Sequence, residues 1–238
     1  MVPAIEIFSE DPELLDAVPA RFQDRLRRLR TPLVEARGRG WDPSNFGLTP
    51  IASILVEGAI AKETLVPGER SIELLGPGDV LIPPSPDDSD SVPSGVCWEA
   101  LGAAHLAVLK RELLNVPEVA APMMMSIASR LNQRAHRASV QAAIAGLHPI
   151  ERRLEFLLWH LADRWGRRGP GGVTLRIKLT QRTLAALAGT ERSTICRSLI
   201  ELEEKQVIAR LPGKQVQLLA EPPGERLIDL ALERISAA

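Results

Sequence analysis

Along residues 179–211, LTQRTLAALAGTERSTICRSLIELEEKQVIARL, apolar side chains recur at three- and four-residue spacing, break at one glycine, and then recur again. The pattern predicts a helix from Gln181 to about Ala188, capped by the Thr180 hydroxyl, with Leu184 and Leu187 facing inward. Gly189 supplies a tight turn. A second helix from Glu191 to about Lys205 sets Ile195, Leu199 and Leu202 on its inner face and leaves Thr190, Arg192, Ser193, Thr194 and Arg197 free at its N-terminal end. The following IARLPGKQVQLL holds two β-prone runs around Pro212, Gly213 and Lys214, which predicts a hairpin, or wing.

The upstream pattern is different. From about Phe46 to Leu114, short apolar runs alternate with glycine and proline signals, which predicts a compact antiparallel β-barrel or roll. Ahead of it, DPELLDAVPARFQDRLRRL predicts a helical lead-in with Leu14, Leu15, Val18, Phe22 and Leu26 on one stripe, and with Arg25, Arg27, Arg28 and Arg30 as a solvated face. From about Pro117 to Ala145 runs a helical pattern without glycine, about 44 Å long. Its Met124, Ile127, Leu131, Ala135, Ala138, Ala142 and Ala145 form an alanine-rich seam that needs a partner. The simplest partner is a second copy across a two-fold axis, and the alternative is the chain's own roll. Met123 to Met125 are expected to fill gaps against that roll. Gly146, His148 and Pro149 end the helix and predict a hinge. The next helix, ERRLEFLLWHLADRWG, is expected to bury Leu154, Leu157, Leu158, Leu161 and Trp165 and to lead through GRRGPGG into the strand VTLRIKL. A last amphipathic helix is predicted from about Gly224 to Ile235.

Length and composition fit more than one domain: the chain has 238 residues, 45% of them hydrophobic. The net charge of −1 conceals an asymmetry, with 11 Lys and Arg against 18 Asp and Glu before Val116, and 18 against 12 from there on. A basic second half suits contact with nucleic acid. No apolar run is long enough for a membrane span, and the acidic start MVPAIEIFSEDPELL is unlike a signal peptide, so a cytoplasmic protein without a membrane partner is expected. Cys97 and Cys196 are too few and too far apart for a disulfide framework or a four-cysteine metal site, and both are expected to be small buried residues.

The free end of the second helix carries the chemistry. Its amides and dipole favour phosphate, and a guanidinium matches guanine O6 and N7, worth about 1 to 3 kcal/mol of discrimination. Arg192 and Arg197 lie about one and a half turns apart, so one is expected to read a base and the other a base or a phosphate. Thr180, Gln181, Thr190, Ser193 and Thr194 complete the candidate DNA contacts, with Lys214 of the wing set against the backbone. An ordinary helical hairpin with solvated arginines is the bland alternative. Asp87, Asp88 and Asp90 lack the glycine and terminal glutamate of a calcium loop and are expected in a surface loop. The four histidines have no metal-like spacing, and no nucleophile and base constellation or P-loop is present, so neither a metal, a cofactor nor catalysis is predicted.

The order of these parts resembles the Crp/Fnr superfamily of bacterial transcription regulators over nearly the whole length. The match is carried by ILVEGAIAK and LLGPGDVL in the roll, IASRLNQRA in the long helix and LTQRTLAALAGTERSTICRSLIELEEKQVI in the reader. The resemblance implies an α+β chain: an N-terminal double-stranded β-helix (a β-roll like that of cyclic-nucleotide-binding domains), a long dimerisation helix and a C-terminal winged helix-turn-helix. The corresponding boundaries are 1–115, 116–146 and 147–238. It also implies a homodimer paired through the 117–145 helix that reads a pseudo-palindromic duplex, with RNA polymerase as a candidate partner. In that family Arg192 and Arg197 stand at the base- and backbone-contacting arginines, and Thr190 and Thr194 at phosphate contacts. Ser193 replaces a glutamate, so the family's usual half-site does not carry over.

The sensor half departs from the family. Gly78 and Asp79 match its Gly-Asp/Glu turn, but no Lys or Arg follows between Arg70 and Lys110, where a cyclic phosphate needs its cation. The helix pair that touches the base in cAMP-binding members is replaced by Arg134 and Ala135. Gly78, Asp79 and Arg134 remain the candidate ligand positions, Arg134 being expected mainly in a solvated or inter-subunit role. Cyclic nucleotide binding in the usual mode is not expected. The resulting expectation is a dimeric, sequence-specific transcription regulator with an unidentified effector or none. Two rivals are a small-molecule sensor with vestigial DNA binding and a winged-helix protein-interaction scaffold.

Overall fold

The computed structural model describes residues 3–43, 50–82 and 92–223, except the side chain of Lys214. The chain divides into two compact units, Met1–Ala138 and Ser139–Ala238. The aspartates at 87, 88 and 90 and the expected helix from Gly224 fall outside the described residues.

The first unit is an antiparallel roll with helices packed on it. Strands β1 (Ala4–Ile5), β2 (Thr31–Arg39), β3 (Pro50–Glu57), β4 (Ile60–Val66), β5 (Glu69–Leu75), β6 (Val80–Leu81) and β7 (Gly95–Lys110) form one sheet, in the order β1-β2-β7-β3-β6, with β4 pairing both β5 and β7. Strand β7 has 16 residues and is the spine: β2, β3 and β4 all pair with it. One core lies inside the roll around Leu55, Ile60, Leu75, Trp98 and Leu106. At the β3–β4 turn Gly58 has φ +90°, and a Cβ there would lie 2.5 Å from the Ala103 carbonyl oxygen, so only glycine fits.

A second core joins the sheet to the helices, and two expectations change here. The lead-in is helical in two pieces, a 3₁₀ turn (Pro12–Leu15) and α2 (Ala20–Arg27), preceded by the short α1 (Ile7–Glu10); Pro19, which has no amide hydrogen to continue a run, stands at the break before α2. Leu14, Leu15, Val18 and Leu26 are nonetheless buried, and Phe22 partly so. The sheet also begins earlier than expected, since β2 precedes Phe46.

Helix α3 (Pro117–Ala145) follows a 3₁₀ turn at Arg111–Asn115. It buries Val119, Met123 and Ile127 in the second core, with Leu131 packed against it. The expected seam is thus split: Ile127 and Leu131 face the roll, while Ala135, Ala138 and Ala142 are exposed. Of the three methionines only Met123 fills a gap; Met124 and Met125 are exposed, Met125 by 69%.

The second unit holds α4 (Ile150–Trp165), a hairpin of β8 (Gly166–Gly169) and β9 (Gly172–Leu175), α5 (Gln181–Ala188), α6 (Arg192–Glu204) and the hairpin β10 (Ile208–Leu211) and β11 (Gln215–Leu218). The four strands order as β10-β11-β9-β8. Leu154, Leu157, Leu158 and Leu161 of α4 are buried as expected, but Trp165 is only half-buried. Both cysteines are half-buried rather than buried.

Candidate nucleic-acid interface

The reader is built by local signals that agree. The Thr180 hydroxyl accepts from the Thr183 amide at 3.0 Å, starting α5, and every residue from Thr183 to Ala188 is buried. Gly189 then turns in the left-handed conformation, φ 59° and ψ 49°, with nothing near its missing Cβ, so the backbone conformation rather than space selects it. The Thr190 amide donates to the Ala185 carbonyl at 3.0 Å, closing the turn. Glu191 takes the position before α6 without a side-chain cap, and instead its carboxylate accepts from the Ser193 hydroxyl at 3.3 Å.

Helix α6 has two faces. Ile195, Ser198, Leu199 and Leu202 are buried. Arg192, Ser193 and Arg197 are exposed, and Thr190 and Thr194 half-buried. Arg192 donates from Nε to Gln181 Oε1 at 3.2 Å, which brings the first turns of the two helices together. Lys178 and Arg182, beside the start of α5, are also exposed, and the apolar pattern gives no reason to single them out. Their signal is only their place next to the Thr180 cap. Arg210 at the base of the wing pairs with Glu203 of α6, Nε to Oε2 at 2.7 Å, and this bond holds the Glu203 carboxyl below its ordinary range.

Two supports under the reader are not local. Arg153 of α4 is 7% exposed, and donates from Nε to the Leu147 carbonyl at 3.0 Å and from a terminal nitrogen to the Ala188 carbonyl at 2.9 Å. It satisfies an orphan acceptor at the end of α5. The buried Ser198 hydroxyl donates to Glu151 Oε1 at 3.3 Å.

In the first unit, Gly78, Asp79 and Arg134 do come together, within a set of internal bonds. Arg134 is 15% exposed at its side chain, not solvated: it pairs with Glu73 and donates to the Val80 carbonyl at 3.1 Å. Arg130 pairs with Asp11 at 2.6 Å and donates to the Gly78 carbonyl at 3.0 Å. Arg137 pairs with the buried Asp79 at 2.5 Å, and the other Asp79 oxygen accepts from the Gly76 amide at 2.9 Å. Three arginines on one face of α3 therefore latch the turn at residues 76–80. Arg130 and Arg137 were legible only as four-and-three spacing around Arg134. Lys62 on β4 lies over the Trp98 ring at 5.8 Å, and burial, with the Arg134 charge, lowers its pKa. Among the described residues there is no His, Cys, Asp and Glu cluster fit for a metal, and no helix is long and apolar enough to cross a membrane.

Comparison with known proteins places this geometry. Residues 151–222 match the Crp-like helix-turn-helix domain. No curated protein sequence matches the chain. Among solved structures it is similar to FixK2 from Bradyrhizobium japonicum, with TM-score 0.60 and 19% identity over 85% of this chain and 98% of that one. It is also similar to the c-di-GMP responsive global regulator CLP from Xanthomonas campestris, with TM-score 0.60 and 16% identity over 80% and 95%. A third is TTHA1359, a CRP/FNR family transcriptional regulator from Thermus thermophilus, with TM-score 0.53 and 20% identity over 79% and 93%. Residues 151–222 thus match the Crp-like helix-turn-helix domain, and the chain as a whole shares its fold with these solved regulators.

Proposed function

We propose that two copies of this chain pair through α3 and read a pseudo-palindromic duplex site, one α6 in each of two major grooves about 34 Å apart. The carrying observation is the exposed N-terminal end of α6 on a buried and capped frame, where Arg192, Ser193 and Arg197 face solvent. Arg192 reads a base edge, and its bond to Gln181 holds the guanidinium ready. Arg197 reads a base or a phosphate; Thr180, Gln181, Thr190, Thr194 and Lys214 serve the backbone. Pairing is supported by the exposed alanine face of α3, which the roll leaves uncovered.

The sensor does not take cAMP in the usual way. In support, the cations beside the turn at 76–80 are already engaged, Arg130 with Asp11, Arg134 with Glu73 and Arg137 with Asp79. Gly78, Asp79 and Arg134 are read as parts of that latch first and as ligand contacts second. The domains run 1–115, 116–146 and 147–238, and the protein regulates transcription in the cytoplasm, with RNA polymerase as the partner at its promoters.

The test is selection from a randomised duplex library by the purified protein without ligand at physiological salt. A two-fold motif is the expected enrichment. Salt-sensitive binding without sequence preference would favour a sensor with vestigial DNA contact, and no binding at all would favour a protein-interaction scaffold.

A further inference from the structure

A cavity of about 460 Å³ lies in the first unit, on the helical side of the sheet and outside the roll that holds the turn at 76–80. It opens between α2, the start of β2, the end of β7 and the first turn of α3. Its size is within the range of small-ligand sites, about 300 to 1,000 Å³. Buried Leu26 and Val119 form its floor, with Phe22 and Leu113 as half-buried walls. Its charged members, all exposed, are mainly cationic: Arg25, Arg30 and Lys110 against a single carboxylate, Glu112, with Leu29 and Val116 exposed beside them.

The charges are available. Arg30 donates to the Ala4 carbonyl at 3.2 Å, which leaves its charge without a counter-ion, and Arg25 and Lys110 have no side-chain partner among the described residues. An apolar floor with a positive rim matches a ligand that is apolar along its body and anionic at one end. Val116, at the head of α3, also lines the cavity, and the positive end of that helix dipole adds to the same field. A compact polyanion fits poorly, because most of the wall offers it no hydrogen bond and Glu112 repels it.

The geometry points to a binding site for a free monocarboxylate with an apolar chain or ring, seated tail inward with its carboxylate among Arg25, Arg30 and Lys110. Because Val116 directly precedes α3 and Val119 lies in its first turn, occupancy bears on the helix that also presents the exposed alanine face. This site is independent of the DNA reading and of the arginine latch.

The experiment is thermal unfolding of the full chain titrated with sodium decanoate, decanol and decyltrimethylammonium, all below their micelle concentrations. Decanoate is expected to raise Tm saturably, with an apparent affinity on the order of tenfold above that of decanol, and the cation is expected to have no effect. Val116→Trp, which fills the cavity from a partly exposed position, and the rim reversal Arg25→Glu with Lys110→Glu should each abolish the rise. Equal shifts from all three amphiphiles would mean detergent adsorption and overturn the site, as would no shift from decanoate or its shorter and longer homologues. An undiminished shift in the rim-reversed protein overturns it as well, and that variant decides the matter should Val116→Trp prove unstable.

Discussion

Arg134 lays one edge of its guanidinium along Glu73, with Nε 2.5 Å from Oε1 and a terminal nitrogen 2.7 Å from Oε2, so a long helix and a sheet strand are joined by two parallel charge-assisted bonds. Removing one partner of such a shielded pair is worse than removing both. Glu73→Ala should therefore lower unfolding stability by about 2 kcal/mol in urea titration, and adding Arg134→Met should restore part of it. Equal losses in the single and double variants would show that an unpaired Arg134 carries no burial penalty. Added cAMP should leave DNA affinity unchanged in the unmodified protein.

Arg192→Ala should relax sequence preference and cost about 1 to 3 kcal/mol on the selected site. Lys214→Ala should weaken every sequence alike and reduce the salt slope by about 0.9. Binding titrations on specific and random duplexes at several salt concentrations separate the two. Equal losses on both duplexes for Arg192→Ala would remove Arg192 from base readout.

Arg153 is a buried cation whose removal strands the carbonyls of Leu147 and Ala188. Arg153→Met should destabilise the second unit by about 3 kcal/mol and abolish DNA binding at elevated temperature before it does so in the cold. Denaturant curves followed by tryptophan emission from α4 would measure this.

The exposed face of α3 gives a direct test of pairing. Ala135→Glu with Ala142→Glu should place like charges across the two-fold seam and yield monomers in sedimentation velocity, with the roll still folded. A dimer that survives both substitutions would pair through another surface.

The Glu203–Arg210 bond has a defined pH dependence. Glu203 has its pKa lowered in the fold by that bond, so its contribution is complete above the ordinary carboxylate value of 4.5 and is lost as pH falls through the lower folded value. Glu203→Gln should be slightly less stable than the unmodified protein at neutral pH, and the two should converge in acid. The effect is small because the pair is solvent-screened. A gap that widens in acid would contradict the assignment.

Much of the reader was legible because its signals are local and mutually consistent: Thr180 caps, Gly189 turns, and Leu184, Ile195, Leu199 and Leu202 repeat at helical spacing. Strand β2 was not, because TPLVEARGR carries a proline, two glycine-flanking arginines and a glutamate where strand propensity is weak, and its pairing with β7 is long-range. The faces of α3 were confounded for a different reason. Two stripes share the same spacing, and periodicity alone does not say that Ile127 meets the roll while Ala135 meets solvent. Arg130, Arg137 and Arg153 do not stand out in the sequence because partners such as Gly78, Asp79 and Ala188 are far away along the chain.

Arg153 also ties two distant points of the second unit together. Its two bonds splice the chain just after α3, at Leu147, to the last turn of α5, so these points travel as one piece. A swing centred on Pro149 would have to tear a guanidinium from a buried carbonyl. Leu147 and the end of α5 are therefore held together by one buried side chain as well as by the intervening backbone of α4.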